Sequence, residues 1–381
     1  MVVNPSDRVE PVPGGRELET QEFVVNMGPQ HPSTHGVCRL ILTMDGEVLK
    51  KVVPDIGFLH RSIEKIAENR TYHQFMVYTD RIDYVSSMNA NHAWCVAVEK
   101  LAGIEVPERA EYLRVIMAEL NRIASHLVFL ASFAIDLGAV TPFLYAFRER
   151  ERIVDLFEMT CGQRLTYSYM RIGGVSRDVP KDFASETKKF CSYLYPRLDE
   201  YEAILTENPI FLGRTKGIGV LDLHTAINYS VSGPPLRGSG LKWDIRKDEP
   251  YSAYDEFDFD TPTGENGDTW DRYKVRIEEM RQSARIIQQA LEGLPEGEIK
   301  AKVPARFRPP KGEVFARIEA PRGEMAYFLV SDGSTKPYRV KIRTASFCNL
   351  QALPVMARGW KIADIVAIFG SLDIILPEVD R

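Results

Sequence analysis

No two of the five cysteines, Cys38, Cys95, Cys161, Cys191 and Cys348, stand at the two-residue spacing of a metal or redox pair, and their number is odd. A disulfide framework or a self-contained zinc or iron–sulfur site is therefore not expected; the thiols read as small buried apolar groups in a reducing compartment. Long apolar runs are missing as well. The nearest approach, Leu127 to Ile135, is bounded by His126 and Asp136 and falls short of the roughly 18 residues a spanning helix needs. The N-terminus has no basic-then-apolar leader pattern. Basic charge is not in excess: the net charge is −5 over 381 residues, so no nucleic-acid partner is expected. What remains is 44% apolar and 27% charged residues, enough for a sizeable core in a chain that is cytosolic or held at a membrane through partners.

The pattern along the chain predicts an α+β fold, a helical bundle with β-elements at both ends. Residues 1–20, with Pro5, Pro11, Pro13, Gly14 and Gly15, read as a loose tail. An N-terminal β-element over 21–60 begins with a strand at Glu22 to Asn26. Val37 to Thr43 and Glu47 to Val53 follow as a hairpin around Asp45-Gly46. A helical core is expected over 61–300, with helices near 62–79, 84–102, 143–165, 182–206 and 271–293. Its longest helix starts at Pro107 and buries Leu113, Ile116, Met117, Leu120, Ile123, Ala124, Leu127 and Leu130, spaced three and four apart. Gly138 and Pro142 end it and begin the next. Gly233 to Gly267 is rich in Gly, Pro and Asp and reads as a long loop, of the kind that binds partners or substrate. A C-terminal α/β element over 301–381 holds strands at Val314 to Glu319 and Met325 to Ser331 and a last helix near 360–370.

Three places could carry chemistry. His31 and His35 are four apart, but Pro32 and Gly36 make a loop of that stretch, not a helical metal pair. A rigid loop presenting His35 suits proton delivery, because imidazole titrates near neutral pH; a purely structural histidine fits the same residues. Tyr84, in Tyr78-Thr79-Asp80-Arg81-Ile82-Asp83-Tyr84-Val85-Ser86, offers a phenolic proton or one core hydrogen bond. Asp136, at the end of the longest helix, is either a solvated carboxylate or the partner that orients a histidine, and spacing alone leaves both open. The run Arg148-Glu149-Arg150-Glu151-Arg152 reads as a solvated, salt-bridged helix face.

Several ordered motifs carry a family resemblance. Asn26-Met27-Gly28-Pro29-Gln30-His31-Pro32-Ser33-Thr34-His35-Gly36 resembles the opening motif of the complex I 49 kDa subunit family, which has members in mitochondria and bacteria. Gly57-Phe58-Leu59-His60-Arg61-Ser62-Ile63-Glu64-Lys65, Asp80-Arg81-Ile82-Asp83-Tyr84, Asp136-Leu137-Gly138-Ala139, Arg171-Ile172-Gly173-Gly174, Ile318-Glu319-Ala320-Pro321-Arg322-Gly323-Glu324 and Glu378-Val379-Asp380-Arg381 resemble later motifs of the same family. The resemblance runs from about residue 22 to Arg381.

That resemblance implies a fold similar to the nickel–iron hydrogenase large subunit. Where hydrogenases hold metal with two Cys-x-x-Cys pairs, this chain has Asp83 and Ser86, then Ile375 and Glu378. None is a soft thiolate ligand, which argues against a membrane-bound hydrogenase and against any metal on this chain. The family uses the vacated pocket for a quinone headgroup, ubiquinone or menaquinone. It implies His35, Tyr84 and Asp136 as the catalytic set, with Arg61, Arg81 and His60 near a 4Fe–4S cluster on a partner subunit. The implied partners are that cluster-bearing small subunit, the 30 kDa-type subunit, a ferredoxin-like subunit and the membrane subunit forming the quinone channel. The implied place is peripheral, on the cytoplasmic face of the bacterial inner membrane. An equivalent subunit of a ferredoxin- or deazaflavin-fed complex, or a scaffold without catalysis, remains open at this point; retention of His35, Tyr84 and Asp136 argues against the scaffold. One departure is Thr166, where many members carry a histidine linked to the pH dependence of the cluster potential; a weaker pH dependence is expected here, because a hydroxyl takes up no proton near neutrality.

Overall fold

The computed structural model of the protein describes residues 21–381, and the expected tail over 1–20 lies outside the described residues. Strand β1 (Glu22–Met27) leads into a miniature antiparallel pair, β2 (Gln30–His31) and β3 (Gly36–Val37), closed by a 3-10 turn at Pro32–Thr34. β4 (Arg39–Asp45) and β5 (Val48–Asp55) form the hairpin expected around Gly46, and the sheet order is β1-β4-β5, all antiparallel. Leu40, Leu42 and Met44 alternate inward along β4, as period-two burial requires.

The helical part begins with a difference from expectation. The single helix expected over 62–79 is two, α1 (Ile63–Asn69) and α2 (Tyr72–Thr79). Thr71 restarts the chain: its hydroxyl accepts from Gln74 N at 3.3 Å while the Gln74 side chain accepts from Thr71 N at 3.2 Å, a reciprocal cap that satisfies two otherwise orphaned donors. α3 (Ser87–Ala102), α4 (Glu108–Asp136) and α5 (Val140–Cys161) follow, then the short pair β6 (Met170–Arg171) and β7 (Gly174–Val175), and α6 (Phe183–Tyr201), which runs on through a π turn at Glu202–Thr206. α7 (Pro209–Thr215) and α8 (Leu223–Asn228) were not anticipated.

The segment 233–267, expected as a long loop, is largely irregular but is interrupted by short helical pieces. It contains α9 (Pro234–Gly238), α10 (Ile245–Asp248) and a 3-10 turn at Tyr254–Glu256, and it leads into α11 (Thr269–Glu292). What fixes it is charge. Arg237 reaches Glu279 and Glu319, and Arg246 reaches Glu119 and Asp244, all of them buried. Glu119 also takes Arg122, the Tyr254 hydroxyl at 2.7 Å and the Ser283 hydroxyl at 2.6 Å. Burial pushes the Glu119 carboxyl up, but Arg122 and Arg246 overcome it and hold Glu119 below the usual carboxylate range. Burial and the neighbouring Asp244 instead push Glu319 up, against Arg237.

The chain ends with β8 (Gly312–Ala320), β9 (Gly323–Ser331) and an unexpected third strand β10 (Arg339–Arg343), in the order β10-β9-β8, then α12 (Ala345–Gln351), α13 (Leu353–Ala357), α14 (Ile362–Ser371) and α15 (Leu376–Asp380). Two cores result. The larger joins α3, α4, α5, α6 and α11 to the inner face of the β8–β10 sheet; the smaller joins the N-terminal sheet to α13, α14 and the 218–236 segment. α4 falls within the Pro107–Gly138 bounds expected for the longest helix. Its best window has a mean hydropathy of 1.3, enough by length and composition to cross a membrane, yet 89% of that window is buried in protein. Arg114, Arg122 and His126 interrupt a strict apolar run without exposing the helix, because each is buried with a carboxylate partner. The charge run on α5 also departs from a fully solvated face. Glu149 is buried against α6, accepting from the Tyr193 hydroxyl at 2.7 Å, while Arg148 and Glu151 stay in solvent.

Candidate functional site

The His31–Gly36 turn is built to hold one side chain still. Pro32 opens the 3-10 turn, Ser33 N donates to His31 Nδ1 at 3.2 Å, and the buried Thr34 hydroxyl donates to the His31 carbonyl at 2.8 Å. His35 closes the turn in the left-handed region at φ 54°, followed by Gly36 packed on Leu376. Gly28, at φ 93°, permits the entry: a Cβ there would lie 2.0 Å from the Cys38 carbonyl oxygen, which no side chain tolerates.

His35 is thereby aimed at the end of α4. Its Nε2 pairs with Asp136 Oδ2 across 101 positions of sequence, with the imidazole 16% and the carboxylate 8% exposed. Both lean on the C-terminal end of α14. The His35 ring meets Phe369 edge-on, and a side chain at Gly370 would come within 3.6 Å of Asp136 Oδ2. A carboxylate on one imidazole nitrogen fixes the tautomer and leaves the other nitrogen to exchange protons.

Tyr84 lies in the turn between α2 and α3, partly exposed, and its hydroxyl has no hydrogen-bond partner among the described residues. Burial raises its pKa; Arg322 opposes this, while Asp83 and Asp373 add to it. Its neighbour Asp83 is buried, caps Val85 N and Ser86 N at 3.1 Å each, and receives Arg322 Nη1 at 2.6 Å. Arg322 continues to the Asp373 carbonyl at 3.0 Å. Sequence reasoning singled out neither Arg322 nor Asp373. Their signal is weak: an arginine in a tight turn, and an aspartate flanked by Leu372 and Ile374.

Glu378 closes this buried group. Burial and the Asp83 carboxylate push its carboxyl up to about 7, against Arg322 and the Ser346 hydroxyl, whose hydrogen bond it accepts. A carboxyl raised from its ordinary 4.5 to about 7 is an acid-favoured element: the stability it supports is complete below about pH 4.5 and is lost as pH rises through about 7, by about 3 kcal/mol. Glu378→Gln is therefore expected to flatten the fall of the unfolding midpoint across that window. An unchanged pH profile in the variant would show that Glu378 is not the titrating group.

His60, Arg61 and Arg81 form a separate surface next to residues 380–381. Asp380 accepts from Gly57 N at 2.8 Å and Leu59 N at 2.7 Å, and its carbonyl lies 2.7 Å from His60 Nδ1. Arg61 Nη2 donates to the Arg81 carbonyl at 2.9 Å, and burial together with the Arg81 charge pushes the Arg61 guanidinium down, against Asp380. Both arginines remain exposed. The six residues expected at a site thus fall into a pair, His35 with Asp136; a turn, Tyr84, tied to the same end of α14 through Arg322; and a cationic patch around His60, Arg61 and Arg81. Thr166 is partly exposed, at φ 54°.

Comparison with known proteins agrees along almost the whole chain. A family model described as the respiratory-chain NADH dehydrogenase 49 Kd subunit matches residues 136–307 and 302–381. Among curated proteins, the D-type chain of an NADH-quinone oxidoreductase from Dehalococcoides mccartyi is 58% identical over 365 residues, covering 96% of this chain and 100% of the relative. The D-type chain of the same enzyme from Desulforamulus reducens is 55% identical over 363 residues, covering 95% and 99%. That of Bacillus anthracis is 52% identical over 364 residues, covering 95% and 100%.

Proposed function

Since the chain belongs to the 49 kDa family of respiratory-chain NADH dehydrogenases, and so is one component of a multi-subunit NADH:quinone oxidoreductase, we propose that it forms the protein side of the quinone-reduction site. The observation that carries this reading is the His35–Asp136 pair, presented by a rigid turn beside the segment that ties in Tyr84.

Reduction of a quinone to a quinol consumes two electrons and two protons. In this reading the electrons come from a 4Fe–4S cluster on a partner subunit, whose reduced form the exposed Arg61 and Arg81 favour by stabilising added negative charge. His35 delivers a proton to one carbonyl oxygen of the headgroup and Tyr84 to the other. Asp136 holds His35 in place and compensates the charge change at the imidazole. Carboxylates, a hydroxyl and an isoleucine at Asp83, Glu378, Ser86 and Ile375 are the wrong donors for a soft metal centre, and this supports a headgroup pocket there. A cleft of about 360 Å³ lined by Leu137, Ala139, Val140 and Phe211 adjoins Asp136, and Ile135, Val140, Leu144 and Ile210 are exposed around it. An apolar surface of this kind suits the isoprenoid tail and the membrane subunit that delivers it, which would seat the chain peripherally on the cytoplasmic face of the inner membrane.

Asp136→Asn tests the reading. In membranes holding the assembled complex, NADH:quinone activity is expected to fall about 10- to 100-fold, while NADH:ferricyanide activity, which uses only upstream cofactors, stays at the wild-type level. Equal retention of both activities would remove Asp136, and with it His35, from the chemistry.

A further inference from the structure

Arg322 occupies the tip of the β8–β9 hairpin, where Ala320 pairs with Gly323, and the turn is clamped. A Cβ on Gly323, at φ 128°, would meet Ser232 Oγ at 2.6 Å and Gly233 N at 2.7 Å, and the Arg322 carbonyl accepts from Asn349 Nδ2 at 3.2 Å. The guanidinium is 1% exposed and reaches two otherwise unconnected segments. One is Asp83, the residue before Tyr84, at 2.6 Å; the other is Asp373, through its carbonyl at 3.0 Å and its carboxylate at 3.5 Å. Asp373 ends the α14 segment against which His35 and Asp136 lean, and it adopts the left-handed region at φ 56°. Its Oδ2 is buried without a hydrogen-bond partner. From this geometry we propose that Arg322 is a positioning residue of quinone reduction: its fork sets the placement of the Tyr84 turn relative to the His35–Asp136 pair, and its charge sets how firmly Tyr84 holds its proton.

The inference rests on the proposed quinone site. The fork matters because guanidinium binds two acceptors in fixed directions, which an ammonium cannot do. The charge matters because the groups facing it are mostly acidic: Asp83 and Tyr84 from the α2–α3 turn, Asp373 after α14 and Glu378 on α15, with Arg276 of α11 the other cation near Asp373. Without Arg322 the Asp83 and Asp373 carboxylates would face Tyr84 with less compensation, and the phenol would release its proton less readily.

Two variants in the assembled complex separate geometry from charge. Arg322→Lys keeps the charge and is expected to lower quinone kcat/KM about tenfold with little change in pH profile. Arg322→Gln is expected to lower quinone kcat about 100-fold and to move the alkaline limb of the quinone-reductase pH profile upward by about one unit. Asp373→Asn, which keeps the shape, is expected to give an intermediate loss and serves if the glutamine variant does not assemble. In each case ferricyanide reductase activity per assembled complex stays at the wild-type level. Arg322 is only a structural residue if both activities fall together with the amount of complex, while quinone kcat, KM and pH profile per complex are unchanged. Tyr84→Phe run alongside distinguishes the two levels: if it abolishes quinone reduction while the Arg322 and Asp373 variants leave it untouched, this inference fails and the site assignment stands; if Tyr84→Phe is also silent, the site assignment itself fails.

Discussion

Replacing Tyr84 by phenylalanine is expected to lower NADH:quinone reductase activity at least about 100-fold, the usual worth of a positioned proton donor, while ferricyanide reduction and assembly persist. The substitution is clean for structural reasons. The hydroxyl has no hydrogen-bond partner among the described residues, so its removal leaves nothing buried and unpaired. The ring keeps its place, because the turn that carries it is held from Asp83 and not from the phenol: Asp83 caps Val85 N and Ser86 N and is gripped by Arg322. A loss of about 100-fold corresponds to about 2.7 kcal/mol in the barrier, far beyond what a lost core contact at a partly open position would change in turnover. If both activities of Tyr84→Phe membranes match wild type, the phenol does no chemistry and the site lies elsewhere.

The largest expected effect on stability is at Glu119, far from His35 in sequence but on the same helix as Asp136. Removing its carboxylate with Glu119→Ala leaves the buried Arg122 without its carboxylate partner, leaves Arg246 with Asp244 alone, and takes the acceptor from Tyr254 and Ser283. Breaking one side of a buried charge network costs about 3–5 kcal/mol, a large share of the roughly 5–15 kcal/mol that holds a typical domain. The complex is expected to be nearly absent from membranes carrying this variant, as read by immunoblot of the chain and by loss of quinone reductase activity. Normal amounts of complex with an unshifted unfolding midpoint would mean that water or a rearranged carboxylate replaces Glu119. The more conservative Glu119→Gln keeps the acceptor oxygen and is expected to be milder.

Local signals made some elements legible and left others hidden. Three-and-four spacing located α4 because one residue type, apolar, marks its buried face. Asp45-Gly46 located the first hairpin because the turn needs a residue at positive φ. The break between α1 and α2 was also written locally, as Thr71-x-x-Gln74, but the periodicity continued across it. β10 alternates Arg339, Val340, Lys341, Ile342, Arg343 and was legible by the same rule that gave its neighbours. The anchoring of the segment 233–267 was not legible, because its Gly, Pro and Asp content describes only a loop's backbone. Its rigidity comes from Arg237 and Arg246 finding carboxylates on α4, α11 and β8. The candidate site was least accessible to spacing. His35, Tyr84 and Asp136 stood as three undecided residues until the family motifs joined them, since nothing local links a loop histidine to a carboxylate 101 positions away. Arg322 and Asp373 escaped even then, because each is informative only through its partner.

The scattered cysteines have a consequence of their own. Four of the five are buried, and Cys38, directly before β4 and with its carbonyl against Gly28 of the His35 loop, has its thiol pushed up to about 11 by burial and by the charges of Asp380 and Asp55. At neutral pH about one Cys38 in ten thousand is then a thiolate, the only form that peroxide attacks readily. Burial pushes Cys191 up to about 12 and Cys95 and Cys161 upward as well. In the proposed setting beside reduced quinol, where oxygen is easily converted to peroxide, these four buried cysteines thus offer almost no thiolate to oxidise.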